Sequence, residues 1–469
     1  MMKNEIFNFN TSYPDAPADA LLSKFFSEYR GEGAAIEVDF RKLVHWIPYG
    51  ERATHFLHPY PGKLLLHIPY FFLSNTILSK PGDKVFDPFC GSGTVLLEAI
   101  LSERSAIGFD SNPLAVLISK AKTTPLDLNQ LEREKGSLRK RLNTDTLMEL
   151  PDVVNRDYWF YPHIQKKLLN ILSAVEKTQP DDIQTFFRVC FSYCVKKVSL
   201  ADPNMSVPVR LNPQKYKMGH RLRDKTEIRI RKLKRINVMN EFFNIIETNI
   251  KRIKNFQAIS PPMTNAKTFC VDCRKLFNRN IDDDSSDKPY SFEEADLIIT
   301  SPPYIGAQKY IRSCSLNLGW LGMCEAKELN NLERSAIGRE HYKKHEYKKL
   351  VATGIDLADE LLNKIFHLNP LRAHMAATYL IEMRDALKGA YNLLKDNGYF
   401  VLIMGNNQVC GHNFNNKEYI NIIAEEIGFK TKLVLVDNIH SRGLMTKRNK
   451  TSGIITQEWI IVLKKENSR

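Results

Sequence analysis

Two short sequence strings, more than two hundred residues apart, combine residue types that could do chemistry. The first reads Asp-Pro-Phe-Cys-Gly-Ser-Gly-Thr at residues 87–94 and lies between a short apolar run and a stretch with helical periodicity. The two glycines would let the backbone approach a ligand without a Cβ clash. The helix that follows adds unpaired N–H donors at its N-terminus. This string therefore predicts a binding turn for a nucleoside-type ligand.

The second string reads Thr-Ser-Pro-Pro-Tyr at residues 300–304 and directly follows an apolar run. Ser301 offers a hydroxyl oxygen and Pro302 a backbone carbonyl, so two acceptors could hold the N–H bonds of an amino group. Prolines lack an N–H donor and fix φ, so Pro302 and Pro303 would present that carbonyl rigidly. Tyr304 could stack on a planar ring. A proline-rich turn after a strand is the alternative, and the glycine turn in the same chain favours the binding interpretation.

The elements that would position both strings can be read from the apolar runs. Seven runs have strand character, and stretches with helical periodicity separate several of them. Strands that alternate with helices predict an α/β fold with a seven-stranded, doubly wound, Rossmann-like sheet. In such a sheet we expect Gly91 and Ser301 to follow adjacent strand tips. The seven runs are 84–87, 106–110, 268–271, 295–300, 399–404, 433–436 and 459–463.

The strand-forming sequence is discontinuous, because a charged and largely helical stretch interrupts it. Residues 126–265 carry few strand signals, and we interpret them as a helical insertion. Residues 51–125 plus 266–469 would form the core around the sheet, with a second insertion at roughly 306–370. Residues 1–50 show no clear period and are predicted to form an N-terminal arm that packs on the core.

Composition narrows the class of protein. Lys and Arg outnumber Asp and Glu by 67 to 53, a net charge of +14, which favours a polyanionic partner such as nucleic acid. No secretory signal pattern is present, and the longest apolar stretch, near residues 64–73, is too short to span a bilayer. Eight cysteines do not make a disulfide scaffold, and Cys270 and Cys273 lack the second pair that a zinc site needs. We therefore expect a cytoplasmic protein with no metal and no membrane partner.

The first string resembles the S-adenosylmethionine motif of the amino-methylating DNA methyltransferases, which act on cytosine N4 or adenine N6. The resemblance implies S-adenosylmethionine as cofactor, with Phe89, Gly91 and Gly93 around its methionine end. Asp110 ends the next strand about twenty residues on, where an acid can accept hydrogen bonds from ribose hydroxyls. Asp272 would lie near the adenine, with a surface acid at a strand end as the alternative. The expected cofactor-binding residues are Asp87, Phe89, Gly91, Ser92, Gly93, Thr94, Asp110 and Asp272.

The resemblance covers about half the chain, roughly residues 55–125, 266–304 and 375–465. The segment His-Pro-Tyr-Pro-Gly-Lys at 58–63 is similar to the one that precedes the cofactor turn in this family and walls the pocket. The long insertion between the second and third strands is a departure, because compact members have a short connection there. Residues 126–265 are accordingly the candidate DNA-recognition region.

Thr-Ser-Pro-Pro-Tyr is the form of the second motif most often associated with cytosine N4 in this family, whereas Asp-Pro-Pro-Tyr is commoner in adenine N6 enzymes. The resemblance implies double-stranded DNA as substrate, with the target base flipped out of the duplex. It also suggests cognate restriction or defence-system proteins as partners. Carbon-5 methylation is disfavoured, because that chemistry needs a cysteine nucleophile in a Pro-Cys pair, and no cysteine here follows a proline. The expected catalytic residues are Ser301, Pro302, Pro303 and Tyr304.

The function expected is site-specific DNA methylation at an exocyclic amine, with cytosine N4 favoured. Three alternatives stay open: methylation of adenine N6 in DNA, methylation of a base amine in RNA, and a non-catalytic nucleic-acid-binding subunit with a methyltransferase fold. An intact glycine turn and an intact Ser-Pro-Pro-Tyr argue against the last of these. No RNA-binding module is recognisable in the sequence, which weighs against the second.

The stretch 215–235 carries ten Lys or Arg residues against Asp224 and Glu227. Such a run could lie against phosphates and fix the register of a nucleic acid, with a solvated helix face as the alternative. The loop 442–450 is a second basic segment, predicted to flank the substrate at one end of the sheet. The candidate nucleic-acid contacts are Arg221, Arg223, Arg229, Arg231 and Lys232.

Overall fold

The computed structural model describes residues 15–47, 52–142, 148–276, 293–306, 309–439 and 456–466. The strands in these ranges are β1 (Ile36–Val38), β2 (Lys84–Asp87), β3 (Ser105–Phe109), β4 (Ala266–Phe269), β5 (Ala295–Thr300), β6 (Leu394–Met404), β7 (Asn407–Val409), β8 (His412–Phe414), β9 (Phe429–Asn438) and β10 (Gln457–Lys465). The α-helices are α1 (Asp15–Glu32), α2 (Phe40–Leu43), α3 (His67–Leu73), α4 (Thr94–Leu101), α5 (Pro113–Thr123), α6 (Leu128–Arg141), α7 (Arg156–Trp159), α8 (Pro162–Glu176), α9 (Asp181–Val198), α10 (Arg221–Lys234), α11 (Val238–Ile259), α12 (Cys273–Leu276), α13 (Tyr310–Ser313), α14 (Ser315–Trp320), α15 (Leu329–Ser335), α16 (Asp356–Leu368), α17 (Pro370–Leu393) and α18 (Asn416–Ile427). Within these ranges, no helix has both the length and the apolar character that a bilayer crossing needs.

Eight strands form one mostly parallel sheet in the order β1-β9-β10-β6-β5-β2-β3-β4. Only β10 is antiparallel to its neighbours within this described sheet. The expected α/β sheet is confirmed, with the correction that it has eight strands instead of seven. The additional strand, β1, lies in the N-terminal arm and pairs with β9 at the sheet edge. It was missed because only Val38 of its three residues is buried, which leaves no recognisable apolar run.

Alternate residues of the central strands point to opposite faces of the sheet, and helices cover both faces. Val85 and Leu297 belong to an apolar core that includes side chains of α3 and α4. Phe86 and Ile298 belong to a second core, shared with α16, α17 and α18. Because these strands are buried on both faces, they appear in the sequence as nearly continuous apolar runs.

A third apolar core lies among the helices outside the sheet layers. It combines side chains of α6, α8, α9 and α11 with Trp320 of α14. Trp320 is fully buried, and its ring lies edge-on to Phe160 with 5.7 Å between centroids. Leu114 and Ile118 of α5 join the same core and so connect it to the sheet. The two long insertions therefore pack together, while the division into three domains remains a prediction.

His58 joins both insertions to the sheet-forming part of the chain. Its Nδ1–H donates to the Pro59 carbonyl at 2.7 Å, and its Nε2 accepts from the Ser192 hydroxyl of α9 at 3.0 Å, in the tautomer that satisfies both neighbours. Asn317 of α14 donates to the same hydroxyl at 2.9 Å. The side chains of His58, Ser192 and Asn317 are all buried. Burial lowers the pKa of His58 to about 3, so its ring is neutral at pH 7.

We expect the free energy of unfolding to decrease as the pH falls from about 6.5 towards 3, in part through His58. The ordinary pKa of this imidazole is 6.5, whereas its pKa in the folded chain is about 3, so the unfolded state binds more protons in this window. His58→Gln should flatten the pH dependence by roughly 1 kcal/mol per pH unit. Urea unfolding of both proteins across this range measures the difference. Buried His55, whose pKa is also lowered to about 3, acts equally in both proteins. Identical slopes would rule out the assigned role of His58.

Candidate active site

A cleft opens at the carboxyl ends of β2, β3, β4 and β5, where the loops that follow these strands meet. Both sequence motifs contribute to its wall. The residues predicted for cofactor binding or catalysis that line the cleft are Asp87, Phe89, Gly91, Ser92, Thr94, Asp110, Asp272, Ser301 and Pro303. Gly93, Pro302 and Tyr304 lie beside these residues in the chain but outside the lining.

The two motifs meet because β2 and β5 are neighbouring parallel strands, with Val85 opposite Leu297. At the ends of these strands the Thr300 hydroxyl donates to Asp87 Oδ1 at 2.5 Å. Asp87 is only 3% exposed, and its burial raises its pKa to about 7, although hydrogen bonds from Thr300 and a backbone N–H oppose the rise. The strand ends that precede the glycine turn and the Ser-Pro-Pro-Tyr sequence are therefore hydrogen-bonded to each other.

The glycine turn needs its glycines for both conformation and space. Gly91 and Gly93 have φ values of +48° and +73°, in the region that residues with a Cβ rarely adopt. A Cβ at Gly93 would lie 2.2 Å from the Ser119 hydroxyl oxygen of α5. Because Gly93 directly precedes α4, any side chain here would displace the start of that helix.

Asp110 fixes the glycine turn from the end of β3. Its Oδ2 accepts from the Gly91 N–H at 2.9 Å, and its Oδ1 accepts from the Asn112 N–H at 2.8 Å. Each carboxylate oxygen has a second lone pair, which can accept from a ligand hydroxyl. Burial raises the pKa of Asp110 to about 6, although the two backbone hydrogen bonds oppose the rise.

Asp272 reaches the cleft, but its carboxylate is paired with an arginine. Arg274 donates to both carboxylate oxygens, and its Nη2 lies 2.6 Å from Asp272 Oδ2. The same guanidinium lies 2.9 Å from Glu382 Oε1 and donates to the carbonyl of Ser335, another residue of the cleft wall. Asp272 thus contributes to a charged network behind the cleft, and its contact with an adenine remains a prediction.

The Ser-Pro-Pro-Tyr sequence places its four residues in different surroundings. Ser301 and Pro303 face the cleft, whereas Pro302 is buried. Tyr304 is half-buried and packs against the core shared with α17. Burial raises the pKa of the Tyr304 phenol well above its usual range, the Glu458 carboxylate adds to the rise, and a hydrogen bond with Ser301 opposes it. The phenol is therefore protonated and lies close to Ser301.

The five basic residues predicted to contact nucleic acid all lie on α10, but they are not equally available. Arg221, Arg231 and Lys232 are exposed. Arg223 Nε lies 3.0 Å from Glu227 Oε1, and Arg229 Nη2 donates to the Lys197 carbonyl at 2.5 Å, so both have partners within the protein. The loop 442–450 lies outside the described residues.

Two parts of the cleft wall lie outside the residues expected to bind the cofactor or to act in catalysis. The ring of Tyr60 lies beside Gly91, and its hydroxyl accepts from Asn112 Nδ2 at 3.0 Å. Its position within 58–63, the segment expected to wall the pocket, was the available signal. Residues 335–337 also line the cleft, and no motif or periodicity in the sequence pointed to them.

The order of the strands changes direction at β2, which has β3 on one side and β5 on the other. Open α/β sheets bind nucleotides and related cofactors in the crevice at such a switch point, outside the carboxyl ends of the strands. The fold and the cleft therefore define a doubly wound α/β protein with a cleft at its switch point. A family model described as DNA methylase matches residues 73–121, which contain β2, the glycine turn and β3.

Similar proteins extend the match beyond that segment. The chain is 25% identical over 372 residues to the type II methyltransferase M.MvaI of Kocuria varians, across 76% of this chain and 77% of that protein. It is 23% identical over 340 residues to the type II methyltransferase M.BsoBI of Geobacillus stearothermophilus, across 66% of this chain and 60% of that protein. The chain is thus similar to type II methyltransferases over most of its length, and its residues 73–121 match a DNA methylase model.

Among solved structures, the rRNA methyltransferase aviRa from Streptomyces viridochromogenes aligns with 91% of this chain and 96% of its own. The TM-score is 0.29 and the sequence identity 10%, and nothing about function follows from a similarity that low.

We expect Gly93→Ala to weaken both the fold and binding of S-adenosylmethionine. The strained backbone and the contact with Ser119 should cost about 1–3 kcal/mol of stability. Gly136→Ala on α6 is the matched control, because a Cβ there meets nothing within 4 Å and should be neutral or stabilising. Thermal unfolding and calorimetric titration with the cofactor measure both effects. If Gly93→Ala unfolds at the wild-type temperature and binds with wild-type affinity, the requirement for glycine is wrong.

Proposed function

We propose that this protein transfers a methyl group from S-adenosylmethionine to an exocyclic amine of a base in double-stranded DNA, with cytosine N4 as the favoured target. One observation carries the proposal. The glycine turn and Ser301 follow the hydrogen-bonded ends of neighbouring strands and line one cleft. The match of residues 73–121 to a DNA methylase model and the similarity to type II methyltransferases support DNA as the substrate.

The residues of the cleft fit S-adenosylmethionine. The N-terminus of α4 offers backbone donors of the kind that bind a carboxylate. Asp110 keeps lone pairs for ribose hydroxyls, and the apolar side chains of Val271 and Ile337 suit an adenine ring. When bound, S-adenosylmethionine supplies a methyl group activated by its sulfonium. Asp87, Ser92 and Thr94 would complete the wall around its methionine end.

The second motif would orient the target amine. The lone pair of an exocyclic amine is delocalised into the ring of its base, so the amine needs acceptors on its N–H bonds before it becomes nucleophilic. The Ser301 hydroxyl and the Pro302 carbonyl would supply these acceptors, with Pro303 keeping the backbone rigid. Tyr304 would support the flipped base by stacking.

The preference for cytosine over adenine rests on the Thr-Ser-Pro-Pro-Tyr form of the motif. Adenine N6 is the second candidate, because the matching family includes both types of transfer. The exposed residues Arg221, Arg231 and Lys232 of α10 would contact phosphates outside the cleft. The type II designation of the similar methyltransferases supports a setting in a restriction–modification system.

We expect Ser301→Ala to lower kcat about 10²–10³-fold, by analogy with the loss of one preorganised polar contact in other active sites. Tyr304→Ala should also lower transfer strongly, because a stacking partner is worth about 1–3 kcal/mol per base. Both variants should bind S-adenosylmethionine as the wild type does. Ser23→Ala, at an exposed position of α1, is the control for the serine substitution. Unchanged transfer by both variants would refute the roles assigned to these residues.

We expect the methylated base to be N4-methylcytosine in duplex DNA. The measurement is transfer from methyl-labelled S-adenosylmethionine to duplex DNA and, separately, to tRNA, followed by nucleoside analysis by mass spectrometry. N6-methyladenine as the sole product would transfer the assignment to the second candidate. Label in tRNA alone would overturn DNA as the substrate class.

A further inference from the structure

A second basic surface lies in a segment that carries none of the recognised motifs. Residues 341–349, called the basic loop below, form no helix or strand and contain four lysines against one glutamate. Lys343, Lys344, Lys348 and Lys349 are all exposed. Among the residues that the structure describes, none of these four lysines forms an ion pair within the protein. Their charge is therefore available to a partner.

The basic loop is anchored by its aromatic residues. Tyr342 and Tyr347 are half-buried between the exposed lysines. The Tyr342 ring lies edge-on to His374 of α17 with 4.6 Å between centroids, and Arg339 lies over the same ring at 4.5 Å. The loop thus presents lysines outward on a backbone held by packed rings, unlike a freely solvated charge run.

The residues just before the basic loop connect it to both halves of the candidate site. Residues 335–340, called the strap, line the cleft through 335–337. The Gly338 carbonyl accepts from the Gly306 N–H at 3.3 Å, and a Cβ on Gly338 would lie 3.1 Å from the Tyr304 carbonyl oxygen. Glu340 continues the attachment, with its carboxylate 2.9 Å from Lys309 Nζ. The strap therefore packs against the chain segment that immediately follows Ser-Pro-Pro-Tyr.

Chain length limits how far the lysines can be from this segment. Lys343 is five residues beyond Gly338, so its Cα lies at most about 18 Å from that of Gly338. Along the axis of a DNA duplex, which rises about 3.4 Å for each base pair, this distance corresponds to about five base pairs. Phosphates near a base held at Ser301 would thus be within reach.

We propose that the basic loop is a contact surface for the phosphate backbone of double-stranded DNA, held next to the catalytic residues by the strap. This inference rests on the proposed function for the location of the target base. Lysines act on phosphates as mobile point charges, so the loop would strengthen and orient binding without reading sequence. The basic loop, which belongs to the second insertion, would contact the DNA that flanks the target base. Helix α10 belongs to the first insertion.

The test compares pairs of substitutions that remove equal charge. Lys343→Ala/Lys344→Ala and Lys348→Ala/Lys349→Ala alter the basic loop. Lys388→Ala/Lys430→Ala is the control pair, and both residues are exposed. They lie near the amino ends of β6 and β9, whereas the cleft lies at the carboxyl ends of the parallel strands. Fluorescence anisotropy with a labelled duplex, measured over a series of salt concentrations, gives the affinity and its salt dependence.

We expect each loop variant to bind the duplex about tenfold more weakly near 0.1 M salt. The slope of log K against log[salt] should decrease in magnitude by about 0.9 for each phosphate that a lysine no longer neutralises. The control pair should keep the wild-type slope. S-adenosylmethionine affinity, unfolding temperature and kcat at saturating DNA should be unchanged, while the KM for DNA rises.

An unchanged slope in both loop variants would overturn the proposal, as would an equal loss in the control pair, since net charge alone would then be responsible. A loss seen with an RNA duplex but not with DNA would also overturn it. The loop variants could show a reduced slope with DNA while the wild-type protein transfers no methyl group to DNA. That outcome would support the loop assignment and contradict the proposed function.

Discussion

The hydrogen bond between Thr300 and Asp87 joins the ends of β2 and β5, and the candidate site depends on this junction. β2 leads into the glycine turn and β5 into Ser-Pro-Pro-Tyr, so each strand end carries one half of the proposed chemistry. More than two hundred residues separate the two motifs in sequence. Only the neighbouring positions of the two strands in the sheet bring both motifs to one cleft. The order of the sheet therefore determines whether a cofactor and a base can meet.

The two long insertions fold back onto this core. One contributes Ser192 and the other Asn317 to the buried network around His58, which lies two residues before the cleft residue Tyr60. The second insertion also supplies the strap, which contacts Arg274 behind the cleft and the backbone that follows Ser-Pro-Pro-Tyr. Supporting contacts of this kind keep the walls of a site in fixed geometry.

Much of this arrangement could be predicted from the sequence, because strands buried on both faces leave apolar runs and the glycine turn has a recognisable pattern. β1 could not, since one buried side chain among three edge residues gives no period. Asp272 and Arg274 are close in the chain, but the link from Arg274 to Glu382 depends on how distant segments pack. The basic loop has a lysine-rich composition like that of many solvated loops, and the contact of the strap before it with Tyr304 exists only in the folded chain.

A crystal structure with S-adenosylmethionine bound tests the central claim most directly. An amine held by Ser301 needs a hydrogen bond of roughly 3 Å and an approach to the methyl carbon of roughly 3 Å. We therefore expect the methyl carbon to lie within about 6 Å of the Ser301 hydroxyl oxygen. A cofactor bound outside the cleft, or bound in it with its methyl carbon more than about 10 Å from Ser301, would contradict the account, because no single amine could then reach both.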